Sequence, residues 1–239
     1  MLTLCQFPGT PAVVNYSPFC MKVECVLRML DLDYRVQSLE DFETAPRRQV
    51  PYIVDEGEIV GDSRLIVDHV QRKYGFDLDR ALSPVARATA HALQSMIEQH
   101  LYFALAYSRW TDDAGWKKAM PLFFAGVPEV QRSEVAACVR AETVGRLWQQ
   151  GLGRHASEQV YRFAAADIDA AAALLGTTPF LFGEIPGLTD AVLYAFVAGM
   201  TAPPFDGPLR THTCAHRNLI DHAERMRARF FPMVPALAA

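Results

Sequence analysis

The stretch from Val50 to Gly75, VPYIVDEGEIVGDSRLIVDHVQRKYG, leaves the chain few ways to fold. Tyr52 to Val54 and Glu58 to Val60 are short apolar runs separated by Asp55-Glu56-Gly57, which predicts a hairpin with Gly57 in its turn. After Gly61 the positions Leu65, Ile66, His69, Val70 and Tyr74 recur at helical spacing. Asp62 and Ser63 open that helix, while Arg72, Lys73 and Gly75 complement its dipole and stop it. Strand, turn, strand and helix form one uninterrupted unit.

Two features of this unit suit a ligand as well as a fold. Val50-Pro51 is a candidate cis peptide, since X-Pro bonds are the usual place for one and a proline opening a strand has no N–H to give to the ladder. A cis bond there leaves the Val50 N–H and C=O pointing out of the sheet, available to an extended ligand by strand addition. The amides at Asp62, Ser63 and Arg64, with the Ser63 hydroxyl, can receive a carboxylate at the helix N-terminus. The same residues also fit a plain proline turn and an ordinary Asp/Ser cap.

Upstream, Leu2 to Phe7 alternates as a strand and Pro8-Gly9-Thr10-Pro11 ends it. Ser17-Pro18-Phe19-Cys20 then leads into a helix with Phe19, Val23, Val26, Leu27 and Leu30 at spacings of three and four; Pro18 suits the first turn and places Ser17 at the N-cap. Tyr34 to Leu39 reads as a second strand and Asp41 to Pro46 as a short irregular or helical connection. The order β-α-β, connector, β-β-α predicts a thioredoxin-like α/β domain over residues 1–75, with a mixed sheet flanked by helices. Its active-site loop lies where the first strand gives way to the first helix, and Ser17 occupies that place.

Residues 76–82 read as a charged linker, and 83–239 as an all-helical domain. Ser83 caps a long helix with Pro84 at its first position; Val85, Ala88, Ala92, Met96, Leu101 and Leu105 give it an apolar face. Helical windows follow at Pro128 to Gln150, Glu158 to Leu175, Leu188 to Met200 and Arg217 to Phe230, with no convincing strand.

With 51% apolar residues the chain has ample material for a core, and no window approaches the ~20 apolar residues of a membrane span. The N-terminus lacks the basic start and apolar run of a signal peptide, so the expected location is the cytosol. Five scattered cysteines without metal or CxxC spacing read as reduced thiols. The net charge of −4 lies wholly in residues 1–80, and no basic stripe exists for a nucleic-acid backbone.

A hydroxyl at a helix N-cap, beside free amides, can donate to a ligand thiolate. Lowering a thiol pKa from about 8.5 by two units needs only ~2.7 kcal/mol of preference for the anion. Ser17 can therefore activate another molecule's thiol, or simply cap its own helix. Cys20, one turn on, stands where a dithiol motif has its second cysteine, but serine fills the first position. Arg47, Arg48 and Gln49 precede Val50-Pro51 and can hold a ligand carboxylate or remain solvated, with Arg48 and Gln49 the better placed. Tyr102, Phe103, Tyr107 and Trp110 form an aromatic stripe that belongs to the core or faces a cleft for an apolar co-substrate. His69, His91 and His100 sit on separate helical patterns, and no metal site is expected.

The thioredoxin-like unit, the Gly-Asp-Ser helix start, the linker and the helical domain together resemble the cytosolic glutathione transferase superfamily. The segments SPFCMKVECVLRMLDLDYRV, VPYIVDEGEIVGDSRLIVDHV, PFLFGEIPGLTDAVLYAFV and HRNLIDHAERMRARFF are similar to the branch that contains failed-axon-connections and metaxin-type proteins and bacterial transferases. The resemblance implies glutathione as co-substrate, Ser17 as the residue stabilising its thiolate, Val50 before Pro51 as the backbone partner of its cysteinyl moiety, and Asp62 and Ser63 as holders of its γ-glutamyl end. It places Asp190 in a capping box of the helical domain, although Gly187 stands where the box has serine or threonine. Gln49 replaces the lysine often found before Val-Pro, so the glycyl carboxylate falls to Arg48 or Gln49. The implied activity is detoxifying transfer of glutathione to an apolar electrophile seated near Tyr102, Tyr107 and Trp110, in a homodimer. The alternatives are a non-catalytic binding or assembly protein, and a glutaredoxin-like reductase or lyase using Cys20.

Overall fold

A computed structural model describes residues 1–39 and 45–237. The first part holds a four-stranded sheet: β1 (Leu2–Gln6), β2 (Tyr34–Ser38), β3 (Tyr52–Asp55) and β4 (Glu58–Gly61), in the order β2-β1-β3-β4. β1 pairs parallel with β2 and antiparallel with β3, and β3 with β4. β1 is buried along its length, whereas the edge strand β2 is largely exposed. Helices α1 (Pro18–Met29) and α2 (Ser63–Tyr74) complete the β-α-β and β-β-α order. The connection expected at Asp41 to Pro46 lies mostly outside the described residues; Pro46–Arg48 forms a single 3-10 turn.

α2 starts and stops as its sequence dictates. The Asp62 carboxylate accepts from the Arg64 and Leu65 amides, and Gly75 ends the helix at φ 74°, a left-handed conformation that glycine adopts without penalty. Its inner face is Ile66, Val67, His69 and Val70; Leu65, expected there, is exposed. His69 bonds to the buried Asp55 on β3, which also accepts from Lys73 and Tyr74. Burial pushes the Asp55 carboxyl up, but these three donors outweigh it and hold the group below the usual carboxylate range.

The helical part comprises α3 (Pro84–Met96), a π-helical turn (Ile97–Leu101), α4 (Tyr102–Trp110), α5 (Asp113–Phe123), α6 (Glu129–Gln150), α7 (Ser157–Leu175), α8 (Leu188–Thr201), α9 (Pro208–Ala215) and α10 (Arg217–Phe230). The buried face of α3 is Ala90 and Leu93, continued by Ile97, Leu101, Ala104 and Leu105. The expected face of Val85, Ala88 and Ala92 points to solvent. The π turn inserts an extra residue per turn, so one straight helical phase cannot fit both halves. α5 and α9 lie outside the windows predicted from sequence. Gly115 and Pro121 argue against a helix at α5, yet Asp112 caps it, Trp116 packs on Trp110, and Arg140 binds the Trp110 and Thr111 carbonyls and Asp113.

α8 is buried from Thr189 to Thr201 and packs against α1, α3, α9 and α10. Because α1 lies between the sheet side and α8, it too is buried on nearly every face, Lys22 and Glu24 included. One hydrophobic core runs from Leu2 and Leu4 through α1 into α8 and α10. Lys22 meets Glu98 of the π turn at 2.6 Å, joining the sheet part to the helical part inside that core. Among the described residues no helix is long and apolar enough to cross a membrane.

Candidate functional site

Strand register brings the site's segments to one end of the sheet. Tyr52 pairs with Cys5 near the end of β1 and with Gly61 at the end of β4. Val50 and Pro51, which precede Tyr52, the loop that follows β1 and carries Ser17, and Asp62 and Ser63, which follow Gly61, therefore converge. Val50-Pro51 is cis. A second cis bond, Pro203-Pro204, was not foreseen.

Ser17 is half-buried at the N-cap of α1. Its backbone N–H donates to the buried Asn15 Oδ1 at 2.9 Å, and Asn15 Nδ2 donates to the Phe7 carbonyl at 2.8 Å, so the loop fixes the serine from behind. The Ser17 hydroxyl accepts from the Cys20 amide at only 3.4 Å, longer than an ordinary N–H···O bond. Its proton lies within reach of the Cys20 sulfur and can turn instead to a ligand. Cys20 is fully buried, and burial pushes its thiol up to about 12 despite opposing hydrogen bonds at Ser17 and Phe7. A thiol so placed is inert, which removes the physical basis for a reductase built on Cys20.

A residue the sequence reading passed over stands beside Ser17. Arg109 of α4 is buried; it donates to the Tyr16 and Gly199 carbonyls at 2.7 Å each, and its guanidinium lies 4.7 Å from the Phe205 ring centroid. Burial pushes it down to about 10, so it remains a cation at neutral pH. Its partners are two carbonyls and a ring, so no carboxylate neutralises it there. The signal in the sequence was one basic residue in the otherwise apolar YFALAYSRW.

At the head of α2, Ser63 is buried and Asp62 exposed. Asp62 has φ 81° and ψ 125°, a conformation side chains rarely adopt, stored where the candidate carboxylate site begins. Because Asp62 takes the Arg64 amide, that amide is not open to a ligand as expected. Lys22, Arg64 and Glu98 gather beneath this helix start, Arg64 reaching Glu98 at 3.7 Å. Burial pushes Lys22 down against the pull of Glu98. Beside them a cleft of about 360 Å³ opens between α2 and α3, lined by Lys22, Arg64, Asp68, Arg87, His91 and Gln94 among others. Arg47 donates to the Gly61 carbonyl at 3.0 Å and so holds the 3-10 turn against β4, while Arg48 and Gln49 are exposed.

The aromatic stripe divides. Tyr107 is buried edge-on against Tyr161, so it belongs to the core. Tyr102 is half-buried against Phe19, with ring centroids 4.8 Å apart. Trp110 joins Trp116, Phe123 and Phe124, and Phe123 in turn touches Tyr16 and Phe205. The Tyr16 hydroxyl donates to the Pro203 carbonyl at 2.5 Å. Apolar rings thus stand on both sides of Ser17.

His69 and His100 are bound to Asp55 and Asp167, and His91 is exposed, so these three do not converge. Another group does. His212 and His216 each place Nε2 2.7 Å from Asp169 Oδ1. Their four-residue spacing was the available signal.

Family models match in two places: the glutathione S-transferase N-terminal domain over residues 18–115, just beyond Ser17, and the glutathione S-transferase C-terminal domain over residues 164–226. The isoprene-epoxide glutathione S-transferase of Rhodococcus sp. (strain AD45) is 32% identical over 96% of this chain and 99% of that protein. Failed axon connections of Drosophila melanogaster is 29% identical over 97% of this chain and 58% of that protein. Among solved structures, the β-etherase LigF from Sphingobium sp. strain SYK-6 shares the fold, with a TM-score of 0.67, 14% identity, and 97% and 98% of the two chains covered. The thioredoxin-like sheet, the helical domain and these likenesses agree: the chain belongs to the glutathione S-transferase superfamily, in the branch with failed axon connections and the metaxins.

Proposed function

We propose that this chain is a glutathione transferase in which Ser17 donates its hydroxyl proton as a hydrogen bond to the glutathione thiolate. The observation that carries the reading is the half-buried Ser17 hydroxyl at the N-cap of α1, held at only 3.4 Å by its own helix, with the preceding Tyr16 carbonyl fixed by the buried Arg109. Val50 offers its backbone to the cysteinyl part beside Pro51. Asp62 and Ser63 receive the γ-glutamyl end, and Arg48 or Gln49 the glycyl carboxylate. The Ser63 hydroxyl and amide supply donors at the helix start.

The rings of Tyr102 and Trp110 seat an apolar electrophile; Tyr107 supports them from the core. An epoxide is the favoured class, because a 32% identical relative is named for an isoprene epoxide. In that reaction the thiol loses its proton to solvent and the sulfur attacks an epoxide carbon. The C–S bond forms as the C–O bond breaks, and the alkoxide takes a proton from water. The protein contributes positioning and a stabilised nucleophile.

Calorimetric titration of glutathione, with the bound thiolate followed by its ultraviolet absorbance against pH, tests this. Saturable binding with a thiol pKa below about 8.5 is expected, returning towards that value in Ser17→Ala. Absence of binding at millimolar glutathione would overturn the transferase reading and favour a binding or assembly role, which the likeness to failed axon connections supports.

A further inference from the structure

Asp169 lies on α7, His212 on α9 and His216 at the junction of α9 and α10. Each histidine Nε2 stands 2.7 Å from the same carboxylate oxygen, and one donor atom from each of the three residues falls within 4.8 Å of the others. The two imidazoles meet edge to face, ring centroids 5.3 Å apart at 66°. Histidines four residues apart present their rings to one side, one turn apart.

We propose that Asp169, His212 and His216 form a binding site for a divalent transition-metal ion of the zinc class, clamping α7 to the α9–α10 junction. Two imidazoles and a carboxylate make a three-ligand set with a position left for water, and imidazole nitrogen suits zinc, copper or nickel rather than calcium or magnesium. The present 2.7 Å contacts are hydrogen bonds. An ion bound at about 2.0–2.2 Å from each ligand needs the donors to part slightly. All three side chains are partly exposed, at 54%, 36% and 27% for Asp169, His212 and His216, so they have room to do so. The backbone frame is already fixed without the ion. Asn218 at the start of α10 donates to the Ala172 and Gly176 carbonyls at the end of α7, both at 2.9 Å.

The clamp has a reach beyond its own ligands. α9 follows directly from the segment of Pro203, Pro204 and Phe205, which accepts the Tyr16 hydroxyl and covers Arg109. An ion at the far end of α9 would hold that helix, and with it the segment against the Ser17 loop. Metal binding itself does not depend on whether glutathione binds.

The test uses full-length, tag-free protein freed of metal with chelator and titrated with zinc chloride by calorimetry, with cobalt(II) as a visible-absorption probe. One saturable site is expected, calcium and magnesium giving none. His212→Ala and His216→Ala should each weaken zinc binding at least tenfold, on the order of what even an outer-shell change costs a metal site. Zinc should also raise the unfolding midpoint of the parent protein and not that of the double histidine variant. Two results would overturn the proposal: no saturable zinc binding, or zinc binding unchanged in both histidine variants, which would place the ion elsewhere.

Discussion

At the scale of the residue, Arg109 carries the sharpest expectation. It satisfies a buried carbonyl on Gly199 and a part-buried one on Tyr16, and each buried carbonyl left unpaired costs about 1–3 kcal/mol. Arg109→Met keeps the apolar volume and removes both bonds and the charge. It should lower stability by about 2–4 kcal/mol in urea unfolding and raise the pKa of the bound glutathione thiol. A variant that lost stability without moving the thiol pKa would mark Arg109 as a structural pin alone. Ser17, Asp62 and Ser63 were legible in sequence because caps and helix starts are local chemistry. Arg109 and Asn15 were not, since their roles depend on which distant carbonyl or loop faces them.

At the scale of the element, α5 shows how tertiary packing overrides local preference. A Cβ on Gly115 would lie 1.7 Å from the Ser108 carbonyl oxygen, so α4 and α5 cross with backbone against backbone. Gly115→Ala must push the helices apart, and the expected cost is about 3 kcal/mol or more, read as a lowered denaturation midpoint. Helix propensity alone points the other way, because alanine is the better helix former by about 1 kcal/mol. The strands, α1, α2 and the cores of α6, α7, α8 and α10 follow from apolar spacing and caps. α5 and the phase of α3 do not, because a close crossing and a π turn are settled by neighbours rather than by spacing.

At the scale of the whole molecule, the segment between the sheet part and the helical part does more than connect. The Asp190 carboxylate accepts from the Gly187 and Leu181 amides and from His222, buried beside α8. The cap side chain that Gly187 lacks comes from Asp79, whose carboxylate accepts from the Leu188 amide at 3.2 Å. A Cβ on Gly187 would meet that same oxygen at 2.9 Å. Asp79→Ala should therefore cost about 1 kcal/mol. Gly187→Ser should be neutral or destabilising in the parent yet stabilising in the Asp79→Ala background, and a double-mutant cycle of unfolding free energies will show the non-additivity. Sequence by itself determined the order of elements over residues 1–75 and the starts of α1, α2 and α3, and it singled out Ser17 as the candidate to meet a thiol, because spacing, caps and turns act within a few positions of the chain. The tertiary structure alone decided that a linker aspartate caps the central helix, that Cys20 is buried beyond reactivity, that Tyr107 is core, and that Asp169, His212 and His216 meet. Those outcomes rest on contacts between residues far apart in the chain, and on a burial that only the packed core creates.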